Sequence, residues 1–310
     1  MLPTFNIGHF TIAGYGLMIV IGIACGLLLL WRHARRLNYP VQDALFAFFY
    51  GALGVAVGGK LFYLAQSLPQ IIDHWPQISA SPQLILSLLS SGFVFYGGLM
   101  GGIAGAFIYA RQFHLPFIPL LQTVIPALPL VHAFGRIGCF LAGCCYGIPC
   151  SGPLCVVFPH SPVAPPNTPL FPVQLLESAL LFLLTAILLL YVTKGTGRFV
   201  TPNVTKGTGR FVTSVNDKTA ATPPRHSPTS SGVTGERSGD VSPDRSPVTL
   251  RSPNPTALYL LLYGIIRFGT EFLRGDLARG SLWLLSTSQW ISLLAITTAI
   301  LLFTLHPKRT

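Results

Sequence analysis

The sequence predicts an all-α polytopic membrane protein of about seven transmembrane helices, N-terminus outside and C-terminus in the cytoplasm. Three observations carry this expectation. Only 9% of the 310 residues are Asp, Glu, Lys or Arg, against about 25% in a soluble domain. Hydrophobic residues make up 51%, and mean hydropathy is +0.59. Apolar runs long enough to cross roughly 30 Å of hydrocarbon recur along the chain. So few charges cannot clothe a water-exposed surface, which excludes a soluble enzyme, a secreted disulfide scaffold and a disordered chain.

The runs, in order, are Thr11–Trp31, Ala44–Gln66, Phe93–Tyr109, a stretch from near Pro116 to near Gly143, Val173–Val192, Thr256–Leu273 and Leu282–Phe303. Each is expected to be helical, because lipid offers no partner to an unpaired backbone group. The fourth contains Pro126 and Pro129. It is expected to be a broken helix whose freed carbonyls are satisfied by protein or a cavity.

Orientation follows from Lys and Arg. Arg32, Arg35 and Arg36 follow the first run, Arg111 the third, and Lys308 and Arg309 close the chain. The loop after the fifth run adds Lys194, Arg198, Lys206, Arg210, Lys218, Arg225, Arg237, Arg245 and Arg251. The opposite side holds Arg274 and Arg279 alone. No basic residue precedes the first run, which argues against a cleaved signal peptide.

The chain divides into a membrane part over 1–193, a segment over 194–255 and a second membrane part over 256–310. The middle segment is rich in Ser, Thr, Pro, Gly and Arg and is expected to be a disordered cytoplasmic insertion. It opens on a repeat: Val192–Thr201 and Val204–Thr213 both read VTKGTGRFVT, too few copies for a solenoid. Much of the net charge of +11 is orientation charge and this segment. The basic balance therefore does not indicate a nucleic-acid partner.

Ionisable residues inside the runs are the informative ones, since each costs a few kcal/mol to place there. Lys60 follows Gly58 and Gly59; His132 and Arg136 lie four apart; Glu177 sits just inside the fifth run; Arg267 and Glu271 are four apart and able to pair. Arginine stays charged and forks onto phosphate oxygens. Arg136 and Arg267 therefore point to a site for an anionic lipid headgroup. Glycine clusters at 51, 54, 58 and 59 and at 97, 98, 101, 102 and 105 fit close helix packing around it.

Cys139, Cys144, Cys145, Cys150 and Cys155 fall close together. Cys144, Cys145, Cys150 and Cys155 are assigned to the outer face, where one or two disulfides are allowed. Connectivity stays open, and so do reactive thiols. Four thiolates can hold zinc, but the spacing matches no common zinc pattern, and no metal is expected. Cys25 reads as a small buried apolar residue.

Gly135-Arg136-Ile137-Gly138-Cys139-Phe140 resembles the glycine–arginine signature of the prolipoprotein diacylglyceryl transferases. Further likenesses follow in family order. Ala13–Leu17 resembles the first-span tyrosine motif, and Gly58–Leu61 the second-span motif, with Lys60 for the usual Arg. Phe95–Leu99 resembles the aromatic–glycine–glycine–leucine motif, with Tyr96 where His is common. Pro172–Glu177 is similar to the box that ends in glutamate, with Phe171 where His often precedes it. Tyr263 and Arg267–Arg274 resemble the late arginine motif, and Ser288 and Gln289 the last-span element. The chain departs from the commonest signature at Cys139 and Ala142, where Asn is usual, and at Cys144, where an acid is usual.

The resemblance implies a bacterial cytoplasmic-membrane enzyme of lipoprotein biosynthesis. It would transfer the diacylglyceryl group of phosphatidylglycerol to the lipobox cysteine of a preprolipoprotein signal peptide and release glycerol phosphate, without a cofactor. On this reading Arg136 holds the phosphate, while Tyr15, Gly97, Gly98, Gln174, Glu177 and Glu271 shape the lipid site. Arg267 stabilises the departing phosphate or the thiolate, and His132 and Tyr96 are candidate bases. Competing readings are a membrane thiol oxidoreductase using the cysteine cluster, an anion transporter, and a lipid-binding homologue with altered activity. The oxidoreductase leaves Arg136, Arg267 and the glycine motifs unexplained, and no internal symmetry favours the transporter.

Overall fold

The computed structural model describes residues 4–7, 10–90, 92–159, 161, 163–195, 202–204, 211–213, 254–276, 281–282 and 285–305. An antiparallel hairpin of β1 (Thr4–Ile7) and β2 (Phe10–Ala13) leads into α1 (Gly14–Arg36). His33, Arg35 and Arg36 close α1, where cations favour the negative end of the helix dipole. The chain turns through Asn38 at φ 54°, and Pro40 precedes α2 (Val41–Asp73). At 33 residues, α2 is roughly 50 Å long and outruns the hydrocarbon. Two short helices follow, α3 (Trp75–Ala80) and α4 (Pro82–Ser90).

Next come α5 (Phe95–Gln112), α6 (Phe117–Val124) and α7 (Ala127–Ala142). The bend of 41° between α6 and α7 falls at Pro126, as the proline pair required. α8 (Val173–Gly195) follows a long connection. Most of the segment 194–255 lies outside the described residues, so its expected disorder does too. Within it β3 (Pro202–Val204) pairs antiparallel with β4 (Phe211–Thr213). α9 (Pro255–Glu271) starts with Asn254 accepting from the Ala257 N–H at 3.2 Å and Pro255 in the first turn. The pair β5 (Ser281–Leu282) and β6 (Leu285–Ser286) precedes α10 (Thr287–Thr304).

Helices dominate, in keeping with the all-α membrane expectation, and the strand pairs are short elements of two to four residues in the segments around them. Boundaries move for physical reasons. Thr11 belongs to β2 rather than to the first helix. The last helix starts at Thr287 rather than Leu282, because Ser286 and Gln289 form a reciprocal capping box there. Among the described residues, α1, α2, α8 and α10 are the 4 helices long and apolar enough to cross a membrane, and the bent α6–α7 pair makes up to 5. α9 has only 17 residues, and α5 is rich in glycine.

Packing runs from helix to helix: α5 on α2, α2 on α1, α1 on α7, α7 on α8, α8 on α9 and α9 on α10. One apolar core joins Leu30, Ala34, Ala44, Phe48, Val124 and Ala127. A second joins Ile125, Ala133, Leu181, Leu184 and Leu188. Large apolar side chains such as Leu28, Phe49, Leu53, Phe107, Leu183 and Leu294 are exposed, as lipid-facing surface requires. Where α2 meets α5 the two backbones touch. A Cβ at Gly54 would strike the carbonyl of Gly101, and one at Gly105 the carbonyl of Tyr50.

Candidate functional site

Glu177, one turn into α8, is the centre of the site. Its side chain is 4% exposed, and three guanidiniums converge on it. Arg136 of α7 places Nε 2.8 Å from Oε2, an ion pair whose N–H is not aligned as a hydrogen bond. Arg267 of α9 donates from Nη1 to Oε1 at 3.3 Å, and Arg274 from Nη1 to the same oxygen at 3.5 Å. The Thr270 hydroxyl donates to Oε1 at 3.1 Å. A buried carboxylate alone would neutralise itself; this one is matched by cations from α7, α9 and the stretch after α9.

The arginines are held differently. Arg267 is engaged on all sides: Glu177, Glu271 at 2.6 Å one turn on, and the Ser288 hydroxyl at 2.9 Å. The expected pairing of Arg267 with Glu271 is thus present. Arg274 forks onto Asp276 at 3.0 and 3.1 Å. Burial works against its charge, but the Asp276 hydrogen bonds and the Glu177 carboxylate outweigh burial and hold its pKa above the usual arginine value. Arg136 commits only Nε to Glu177. A guanidinium has five N–H donors in a fixed fork, so most of Arg136 is available to a ligand. A small pocket opens on it, lined by His132, Arg136, Glu177, Tyr263, Arg267 and Thr270 among others. The His132 ring leans on that of Tyr263, centroids 5.7 Å apart.

Other predicted residues lie elsewhere. Gln174 is fully buried and donates from Nε2 to the Cys144 carbonyl at 2.8 Å, so it anchors the loop after α7. Gly97 and Gly98 face neighbouring side chains and α2 rather than the pocket. A Cβ at Gly97 would stand 2.5 Å from Gly58 O, and one at Gly98 2.7 Å from the Phe93 ring. Tyr15 is 45% exposed at the start of α1, and its ring lies against Gly138. Tyr96 sits in the first turn of α5, within electrostatic range of Tyr263. Lys60 donates to the Leu88 carbonyl at 2.6 Å and lies over the Tyr63 ring, tying α2 to α4.

The cysteines divide. Cys150 is bonded to Cys155. Cys144 and Cys145, grouped with them as disulfide candidates, remain thiols and gather instead with Cys139. The physical reason is the end of α7: Gly143 at φ 70° turns the chain back, and Cys144 N–H reaches the Cys139 carbonyl at 3.1 Å. The Cys145 thiol sits below the ordinary thiol range, because it accepts hydrogen bonds from Cys139 and Cys144 and faces Arg274 and Arg136.

Arg274, which the charge count places on the outer side and the resemblance places in the late arginine motif, is buried at 3% exposure against Glu177. The chain reaches that position because the stretches after α7 and α9 are knitted together. Ile148 N–H bonds to Leu273 O at 3.0 Å, and Gly275 N–H to Tyr146 O at 3.1 Å. Gly147 is bare there, since a Cβ would meet the carbonyls of Phe171 and Leu273.

The site of this helical membrane protein is thus three buried arginines set among three acids, Glu177, Glu271 and Asp276. The comparisons make the class specific. The family model for prolipoprotein diacylglyceryl transferase matches residues 3–216 and 245–305. The phosphatidylglycerol–prolipoprotein diacylglyceryl transferase of Clostridium tetani is 33% identical over 305 residues, 98% of this chain and 97% of the relative. The Clostridium perfringens protein of that name numbered 2 is 32% identical, covering 95% of this chain and 91% of its own length. A Coxiella burnetii relative is 32% identical over 181 residues, 58% of this chain and 67% of its own. The chain belongs to the prolipoprotein diacylglyceryl transferase family.

Proposed function

We propose that this protein transfers the diacylglyceryl group of phosphatidylglycerol to the lipobox cysteine thiol of preprolipoproteins. The observation that carries the reading is Arg136: a buried guanidinium at a pocket, tied to Glu177 through Nε alone. The chain crosses the bacterial cytoplasmic membrane seven times, N-terminus outside, with α5 and α9 as the two shorter spans.

The chemistry asks little of the protein beyond charge and alignment. The nucleophile belongs to the substrate and reacts as thiolate. Its sulfur forms a bond to the glyceryl carbon as the carbon–oxygen bond to phosphate breaks. The electron pair leaves on the phosphate, so preorganised cations lower the barrier. Arg136 has the unused donors for the phosphate. Arg267, fixed by Glu177, Glu271 and Ser288, offers charge already oriented and costs no reorganisation. Arg274, at 3% exposure, is a positioning residue for Glu177. His132, at the pocket beside both Arg136 and Arg267, is the base within reach. Two membrane-held substrates aligned here gain the large advantage of proximity.

The test is replacement of Arg136 by Ala, with transfer measured from labelled phosphatidylglycerol to a lipobox peptide in membranes. Loss of at least about 100-fold is expected, the scale of one lost oxyanion donor. Undiminished transfer would end the phosphate-clamp role.

A further inference from the structure

Three thiols stand together beside the arginine site without a role in the chemistry just described. Cys139 lies near the end of α7, and the left-handed Gly143 returns the chain over that turn. The Cys144 thiol points back to the Cys139 carbonyl at 3.7 Å. Cys145 itself holds φ at 57°, a conformation that a residue with a Cβ adopts only under constraint. The outcome is three Sγ atoms all within 4.8 Å of one another. Tetrahedral zinc with sulfur at about 2.3 Å sets its sulfurs about 3.8 Å apart, so small side-chain rotations suffice.

The loop is also held in place. Gln174 donates to Cys144 O at 2.8 Å, Ser161 to Gly143 O at 2.9 Å, and Gly275 to Tyr146 O at 3.1 Å. Gln174 Oε1, on the amide that grips Cys144, is buried without a hydrogen-bond partner. Such anchoring is what a preorganised ligand set requires. Disulfide pairing cannot consume an odd number of thiols, and the same loop already pairs Cys150 with Cys155. The guanidiniums of Arg136 and Arg274 lie within electrostatic range of the Cys145 sulfur, and cations there favour negative charge on it.

We propose that Cys139, Cys144 and Cys145 form a three-thiolate site for a soft divalent cation of the zinc class. Its fourth position is open to a thiol from outside the chain. Among the described residues no fourth His, Cys, Asp or Glu completes the set, and three protein ligands with one open position is the pattern of a reactive rather than a purely structural zinc site. Binding releases three thiol protons to water and leaves the centre with one net negative charge beside two arginines. The open position rests on the transferase reading: the substrate thiol binds there, gives its proton to the base of that reading, His132, and is presented as thiolate to the glyceryl carbon.

The experiment uses the full chain purified in detergent. Elemental analysis is expected to find one zinc per chain. Cobalt in its place is expected to give sulfur-to-metal charge transfer and the visible bands of a tetrahedral site. Loss of an outer-shell partner alone costs about 10–100-fold in affinity, so Cys139→Ser and Cys145→Ser are each expected to weaken zinc by at least about 100-fold, while Cys25→Ser leaves it unchanged. A lipobox peptide is expected to shift the cobalt visible bands, and its Cys-to-Ser version is not. No zinc above the level of the triple Cys→Ser variant, with the Cys150–Cys155 bond intact by mass spectrometry, overturns the site. So does a native disulfide between any two of the three. Zinc bound with full transfer in the metal-free triple variant overturns the open-position role. Zinc bound and peptide bands shifted, with no transfer from any phospholipid, supports the metal site and counts against the transferase reading instead.

Discussion

The α2–α5 contact and the α7–α8–α9 site solve the same problem by opposite means. Both must hold helices together where apolar surroundings give little reward for burying more apolar surface. Between α2 and α5 the answer is absence: Gly54, Gly58, Gly97, Gly101 and Gly105 bring carbonyl against Cα with no side chain between. Around Glu177 the answer is presence: three arginines, from α7, α9 and the stretch after α9, converge on one carboxylate. The first interface tolerates nothing larger than hydrogen. The second tolerates no change of charge. A contact made from backbone is silent chemically, whereas one made from charge can exchange a partner for a ligand, and in the proposed function Arg136 is where that exchange would occur.

The largest effect is expected at the charged hub. Glu177→Ala strands Arg136 and leaves Arg267 with Glu271 and Arg274 with Asp276, and removing one partner of a buried pair costs about 3–5 kcal/mol. Thermal unfolding in detergent should show it, and a variant as stable as the parent breaks the account of Glu177. At the glycine interface, Gly101→Leu drives a side chain into the Gly54 carbonyl; overpacking costs about 1–3 kcal/mol. The readout is unfolding together with preserved phosphatidylglycerol binding in the folded fraction. Lost binding at full stability would mean that this face touches substrate. Combined, the two changes should add within about 0.5 kcal/mol if the regions share no partner. Smallest is Ser288→Ala, which removes one hydrogen bond to Arg267 and costs about 1 kcal/mol. Transfer rate at saturating lipid, rather than lipid affinity, should fall, because Arg267 loses orientation while Arg136 keeps the phosphate.

Much of this was legible in the sequence. Arg136, Arg267, Glu177 and Glu271 announced themselves because charge inside an apolar run demands a partner. The break at Pro126 was equally forced. Gln174 was named, but its role was not readable, since nothing local shows that its amide will reach the Cys144 carbonyl 30 residues away. Arg274 was legible only through the late arginine motif, because it follows the apolar run and meets Glu177 where its loop pairs with the one after α7. The pairing of cysteines turned on one left-handed glycine at 143. Glycine clusters gave the contact but not its face: period alone cannot say whether Gly97 looks toward a lipid or another helix.

The site lies at one end of the antiparallel pair α8 and α9, near Glu177 at the start of one and Arg267 at the finish of the other. The segment joining them departs from the opposite end. The entropy of closing that loop grows only logarithmically, by about 0.6 kcal/mol for each doubling of its length. Such lengthening acts on a joint already clamped far away. The chain between these two helices is thus free to grow, duplicate or change composition while the arginines keep their register.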